Sequence, residues 1–142
     1  MNVPVNMKRI LIVDDEPRVL SILGVILDRM NKMEQIKYGF EIVMADGGKQ
    51  ALHEVEQGAF DLVISDVIMP GMGGVELVEA IRALGLETAV IWITAFGSQA
   101  LQADRKRLDV HSCLDKPLLI NEIRQAALDA MGTNLSLATV TG

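Results

Sequence analysis

Short apolar runs alternate along this chain with longer stretches in which apolar residues recur every three or four positions. Ile10-Leu11-Ile12-Val13 is aliphatic, mostly β-branched, and stops at Asp14-Asp15. A continuous apolar run of this length predicts a strand buried on both faces. Phe40–Met44, Leu62-Val63-Ile64 and Val90-Ile91-Trp92-Ile93 read the same way. Val110–Leu114 is less apolar and reads as an edge strand. Between these runs the period lengthens. Pro17 suits a first helical turn, and Val19, Ile22, Leu23, Ile26, Leu27 and Met30 follow on one face. Ala51, Leu52 and Val55 mark a second helix stopped by Gly58, and Leu77, Val78, Ile81 and Leu84 a third stopped by Gly85. Gln99–Leu108 is the weakest helix, its apolar face thin and interrupted by Arg105-Lys106-Arg107. Leu119, Ile123, Ala126 and Ala130 carry the last, capped by Gly132.

Strict alternation of strand and helix predicts an α/β fold, a doubly wound parallel sheet with helices on both faces. In such folds ligands bind beyond the carboxyl ends of the strands, where the strand order reverses. The residues there are Asp14-Asp15 after the first strand, Asp46 after the second, Asp66 after the third, Thr94 after the fourth and Lys116-Pro117 after the fifth.

The chain has 142 residues, 50% of them hydrophobic and 23% charged, enough for one packed domain. Residues 7–131 carry the periodic pattern; 132–142 form a polar, small-residue tail that reads as a frayed end or cut linker. The net charge of −6 disfavours unaided binding to nucleic acid, and the few aromatic residues offer no base-stacking platform. Cys113 is the only cysteine, which excludes an intrachain disulfide and a cysteine-rich zinc site and fits a reducing compartment. No segment has the length of a membrane span or the pattern of a signal peptide, so the expectation is a cytoplasmic protein without membrane contact.

Asp14, Asp15 and Asp66 gathered at one edge of the sheet would repel one another unless a proton or cation intervened. Oxygen ligands with room for water suit Mg²⁺. Lys116 brings a positive charge with three donors, Thr94 a small hydroxyl, and an aspartate can act as a nucleophile toward phosphorus. The bland readings are that Asp14-Asp15 caps a helix, that Asp66 forms a turn before Pro70-Gly71, that Thr94 only ends a strand and that Lys116 is merely solvated.

Taken in order, Val13-Asp14-Asp15-Glu16-Pro17, Asp61–Gly74 (DLVISDVIMPGMGG), Thr94-Ala95 and Lys116-Pro117 closely resemble the receiver domain of two-component response regulators. The resemblance implies strand order 2-1-3-4-5. It implies Asp66 as phosphoacceptor, Asp14 and Asp15 as the acidic pair holding Mg²⁺ together with Asp66 and the backbone carbonyl of Ile68, and Thr94 and Lys116 as phosphoryl ligands. It also implies a cis Lys116-Pro117 bond. The partners it implies are a sensor histidine kinase or phosphotransfer protein upstream and an output domain or protein downstream. A homodimer through the fourth helix, fifth strand and fifth helix is a further implication.

This sequence departs from the family in three places. Cys113 stands where the family has a switching aromatic ring, unless Trp92 or Phe96 takes that part. The span from Asp15 to Asp66 is long, with the excess assigned to Asn31–Gly39. Ile68 and Phe96, both apolar, sit where side chains tune hydrolysis, and neither can orient an attacking water, which implies a slowly hydrolysed acyl phosphate. The rival readings are an Mg²⁺-dependent phosphohydrolase and a receiver-like interaction module that does not use phosphate. The first wants a carboxylate two residues after the nucleophile and finds Ile68 there; the second draws on Cys113.

Overall fold

A computed structural model describes residues 7–33, 39–95 and 97–132. Strands β1 (Met7–Val13), β2 (Gly39–Ala45), β3 (Leu62–Asp66), β4 (Ala89–Thr94) and β5 (Ser112–Asp115) alternate with helices α1 (Pro17–Asp28), α2 (Gly48–Gln57), α3 (Gly74–Ala83), α4 (Gln102–Arg107) and α5 (Ile120–Ala130). Short 3-10 turns follow α1 at Arg29–Lys32 and precede α4 at Ser98–Leu101. The sheet is parallel throughout, with order β2-β1-β3-β4-β5. This is the doubly wound α/β architecture that the alternating pattern predicts.

The apolar runs have the composition they have because both faces of the sheet are covered. Along β1, Leu11 and Val13 point to the α2–α3 side, where they meet Val63, Trp92, Val55, Leu77, Val78 and Ile81. Ile10 and Ile12 point the other way, toward Leu23, Leu27, Ile64, Ile91, Ile123 and Leu128 on the α1–α5 side. Two-residue alternation therefore feeds two cores from one strand, and each face favours apolar residues. Burying these side chains supplies most of the driving force, roughly 1.5–3 kcal/mol for each large aliphatic one.

Several boundaries differ from the sequence pattern. β1 begins three residues earlier, at Met7, because β2 pairs along its whole length, Met7 opposite Gly39 and Val13 opposite Ala45. Val110 and His111 are not in β5: Val110 N closes the turn out of α4 on Arg105 O, and His111 N donates to Val90 O of β4. The fourth helix is only six residues long and buries none of them, as its thin apolar face foretold. Leu119 lies outside α5 as its N-cap and is exposed, so Ile123, Ala127 and Leu128 carry the buried face. In the longer connection after α1, Asn31 clasps the start of β2: its Oδ1 accepts from Phe40 N at 2.7 Å. Most of that connection, 34–38, lies outside the described residues, as do Phe96 and the tail 133–142. Among the described residues no helix is long and apolar enough to cross a membrane.

Strand register brings the carboxyl ends level. Val13 pairs with Ser65, Asp66 with Ile93, and Thr94 with Asp115. The strand order reverses between β1 and β3, and the crevice that results opens above Asp14 and Asp66. Behind that crevice α3 approaches β3 very closely. A Cβ on Gly74 would sit 2.5 Å from the Asp66 carbonyl oxygen and 2.9 Å from Val67 Cα. Gly74→Ala is therefore expected to destabilise the domain by about 1–3 kcal/mol through overpacking against backbone that cannot yield. A shift of the urea midpoint at unchanged m-value checks this, and an unshifted midpoint contradicts it.

Candidate functional site

Each element delivers one part of the crevice. β1 ends at Val13, and the backbone N–H of Asp14 still donates to Ala45 O at 3.2 Å, which fixes Asp14 at the mouth. Asp14 Oδ1 accepts from Glu16 N at 2.8 Å. That bond forms a tight turn before Pro17 and is not a helix cap, since the N-cap of α1 is Glu16 and no side chain caps it. Asp15 is exposed beside the buried Asp14. Carboxylate oxygens of Asp14, Asp15 and Asp66 all lie within 4.8 Å of one another.

Asp66, the last residue of β3, is 6% exposed, and both of its carboxylate oxygens are engaged. Oδ1 accepts from Ile68 N at 3.0 Å, and Oδ2 accepts from Lys116 Nζ at 2.8 Å. Lys116 Nζ also lies 3.9 Å from Asp14 Oδ2. It arrives from the loop after β5, anchored by its own N–H on Thr94 O at 2.8 Å, and the Lys116-Pro117 peptide is cis. Thr94 closes β4 and is buried. The structure thus brings Asp14, Asp15, Asp66 and Lys116 into direct contact range, places Thr94 on the backbone that holds Lys116, and leaves the Ile68 side chain exposed above them. Asp46, at the end of β2, is exposed and stands outside the cluster.

The electrostatics are those of charge in excess. Burial is the largest influence on Asp14 and, with the neighbouring Asp66 carboxylate, pushes its pKa up to about 6, against the lowering effect of the Glu16 N–H and of Lys116. Partial burial works against the Lys116 ammonium, but the hydrogen bond and charge of Asp66, with Asp14 and Glu16 nearby, outweigh it and hold Lys116 above the usual lysine value. One ammonium faces three carboxylates. The donors are all oxygen and one of them is open to solvent, a set that fits a hard divalent cation retaining part of its water.

Some supporting residues carry no local sequence signal. The Ile68 N–H fixes the Asp66 carboxylate, a part distinct from the Ile68 carbonyl named by resemblance. Ser65 Oγ donates to Asp66 O at 2.8 Å. Gly74 N donates to Val67 O at 2.9 Å, and Trp92 Nε1 donates to Gly74 O at 3.2 Å. The Gly73-Gly74 pair after the loop was the one readable hint of this close approach. Trp92, one of the two rings weighed as a replacement for the family's aromatic, is fully buried in the core with its Nε1 hydrogen-bonded. Cys113 pairs with Trp92 across β4–β5, and burial pushes its thiol up. His53 and His111 are exposed, as expected of ordinary surface residues.

Comparison with known proteins agrees with this architecture. The model of a family described as the response regulator receiver domain matches residues 10–128. The chain is 37% identical over 133 residues to Sensor protein GacS of Pseudomonas syringae pv. syringae, across 89% of this chain and 14% of that protein. It is 32% identical over 119 residues to Sporulation initiation phosphotransferase F of Bacillus subtilis, across 84% of this chain and 90% of that one. Among solved structures, response regulator protein TrrA of Thermotoga maritima, in complex with Mg(2+)-BeF, superposes with a TM-score of 0.73 at 31% identity, across 87% of this chain and 99% of that chain. Chemotaxis protein CheY4 of Vibrio cholerae superposes with a TM-score of 0.73 at 27% identity, across 91% of this chain and 99% of that chain. The chain spans only a small part of the sensor proteins it matches, 14% of GacS and 11% of RcsC. By fold, by sequence and by the residues at its strand ends, the chain belongs to the response regulator receiver domain family of two-component signal transduction.

Proposed function

We propose that this receiver domain, residues 7–131, is a phosphorylation-dependent switch whose phosphoacceptor is Asp66. The observation that carries the reading is the state of the Asp66 carboxylate. It is buried, gripped on one oxygen by the Ile68 N–H and on the other by Lys116, and faced by two further carboxylates. A purely structural ion pair has no use for two extra acids at its side, whereas a phosphoryl-transfer site needs them for a cation.

In the proposed reaction a phosphohistidine of a sensor kinase or phosphotransfer protein meets the crevice. The phosphorus–nitrogen bond breaks, its electron pair stays on the imidazole, and a bond forms between phosphorus and an Asp66 oxygen. Asp14, Asp15, Asp66 and the Ile68 carbonyl would hold Mg²⁺. Bound there, the ion supplies charge neutralisation for the phosphoryl oxygens. Lys116 exchanges its partner from the carboxylate to the phosphoryl group, and Thr94 donates its hydroxyl to the same group. The new dianion then biases the α4-β5-α5 surface toward a second arrangement that an output domain or protein reads, in the cytoplasm, and through which two copies could pair. The domain performs its own phosphotransfer and slow hydrolysis and turns over no external substrate. The phosphohydrolase alternative lacks its second carboxylate at Ile68. The phosphate-independent alternative rests on Cys113 and is disfavoured by the complete set of acids and Lys116 around Asp66.

Incubation with acetyl phosphate and Mg²⁺ should add one phosphate to the intact protein, located on Asp66 by peptide mass spectrometry and absent in Asp66→Ala. After removal of the donor the adduct should persist for minutes or longer, because Ile68 offers no group to orient water. An adduct elsewhere, or none, contradicts the reading, and a lifetime of a few seconds contradicts the account of Ile68.

The raised pKa of Asp14 gives a stability test with a definite sign. The folded state binds a proton at Asp14 more tightly than the unfolded chain does, from about 6 down to the ordinary 3.8. Ionised Asp14 therefore costs the metal-free domain stability, a cost absent well below pH 3.8, growing as pH rises and complete somewhat above pH 6. Asp14→Asn should stabilise the metal-free domain by about 1–3 kcal/mol at pH 7.5. The advantage should fade toward pH 4 in urea titrations at several pH values. A pH-independent difference contradicts the assignment.

A further inference from the structure

Among the described residues, the side-chain hydrogen bonds and ion pairs that tie helix α4 and its following turn to the domain all lie toward the helix C-terminus. Its C-terminus closes in a Schellman turn: Val110 N donates to Arg105 O at 2.9 Å and Asp109 N to Lys106 O at 3.3 Å, with Asp109 in the left-handed region at φ 55°. A non-glycine residue in that region persists where its surroundings hold it. Here two arginines hold the turn by its carbonyls. Arg82, near the end of α3, gives Nε to Leu108 O at 2.9 Å, and its remaining nitrogens to Asp109 O at 3.2 Å, Leu86 O at 3.0 Å and Thr88 O at 2.8 Å. Arg105 gives Nε to Val110 O at 3.2 Å and a terminal nitrogen to His111 O at 2.8 Å. Arg107 adds an ion pair to Glu79 of α3 at 2.6 Å.

The other end is held by an apolar contact instead: Leu101, half-buried, packs against the core on the α2–α3 side. Among the described residues, no side-chain hydrogen bond or ion pair joins Ser98–Leu101 or Gln102 to another element. No side chain of the 3-10 turn or of α4 itself is buried, and no side chain caps the helix. The segment leaves the sheet through Gly97 at φ 85°, a conformation that few other residues adopt. A short rod with a glycine at its entry, one non-directional apolar contact at its N-terminal end and a hydrogen-bonded clamp at its C-terminal end yields more easily at the N-terminal end.

We infer that Arg82 is a positioning residue that makes the Leu108–Val110 turn a fixed pivot, so that a change at the phosphoacceptor swings the N-terminal end of α4 and leaves its C-terminal end in place. The inference rests on the switch reading given above and specifies how that switch moves in a chain with Cys113 in place of a mobile ring. Its chemistry is that of a planar guanidinium spanning carbonyls of two loops, which a lysine ammonium on a single stem cannot reproduce.

Hydrogen exchange of the full chain, with and without beryllofluoride and Mg²⁺, tests it. The amides of Leu108, Asp109, Val110 and His111 each donate to a backbone carbonyl and report on the pivot. In the parent protein beryllofluoride should change exchange across 98–104 and leave 108–111 unaltered. In Arg82→Met, without any ligand, 108–111 should exchange at least about tenfold faster, and the ligand response should spread into it. Arg105→Met, at an exposed position where folding is not at risk, should act in the same direction and more weakly. The inference is overturned if 108–111 responds to beryllofluoride in the parent as strongly as 98–104, if neither segment responds, or if both variants leave 108–111 protected. Acyl phosphorylation of Asp66, followed separately by mass spectrometry, keeps its failure distinct from a failure of the switch reading.

Discussion

Three carboxylates held within reach of one another against a single ammonium set the terms for the rest of this molecule. Asp14, Asp15 and Asp66 cannot all ionise in a partly buried crevice without compensation, and Lys116 compensates only in part. The excess appears in the raised pKa of Asp14. Such an arrangement is kept at a cost in stability, and the cost makes sense as readiness for a cation and a phosphoryl group. Lys116 meanwhile donates to one oxygen of Asp66, a bond that the proposed phosphoryl transfer would exchange for one to the phosphoryl group.

The scaffold serves that crevice by rigidity. Parallel strands with both faces buried leave little freedom at their ends, and level register sets Asp66, Thr94 and the residues beside them at one height. A second layer works from behind. Gly74 admits α3 to the Asp66 backbone, Trp92 holds Gly74 by its carbonyl, and Ser65 holds the Asp66 carbonyl. The stiff side of the molecule is therefore the α3 side, and the compliant part is the one short helix with no buried residue. The switch proposed above draws on that contrast, with the acceptor loop and the turn at 108–110 held and the start of α4 less tightly tied.

Much of this was legible in the sequence, for identifiable reasons. Continuous apolar runs such as Ile10–Val13 and Val90–Ile93 are short, rich in β-branched residues and fit strands buried on both faces, and each ends abruptly in a polar residue at the site. Asp14, Asp15, Asp66, Thr94 and Lys116 all stand just beyond the ends of apolar runs. The thin apolar face of 99–108 correctly marked the weakest helix, though its division into a 3-10 turn and a six-residue helix depends on packing that no local pattern encodes. Illegible were the contacts made by backbone atoms and between distant elements. Nothing near Arg82 in sequence announces four carbonyl partners in two loops, and nothing near Trp92 announces Gly74. The left-handed Asp109 was hidden because glycine, the usual signal for that conformation, is missing there. Phe96 and residues 34–38, where the sequence departs from the family, fall outside the described residues.

The central claim is that the acids at the strand ends form one divalent-cation site. Calorimetric titration of the protein with Mg²⁺ tests it most directly. The account predicts a single site, weakened at least about tenfold by Asp15→Asn or Asp66→Asn and unaffected by Asp46→Asn, which alters an acid at the end of β2 outside the cluster. Absence of binding at millimolar Mg²⁺, or binding that survives both Asp15→Asn and Asp66→Asn, would contradict it.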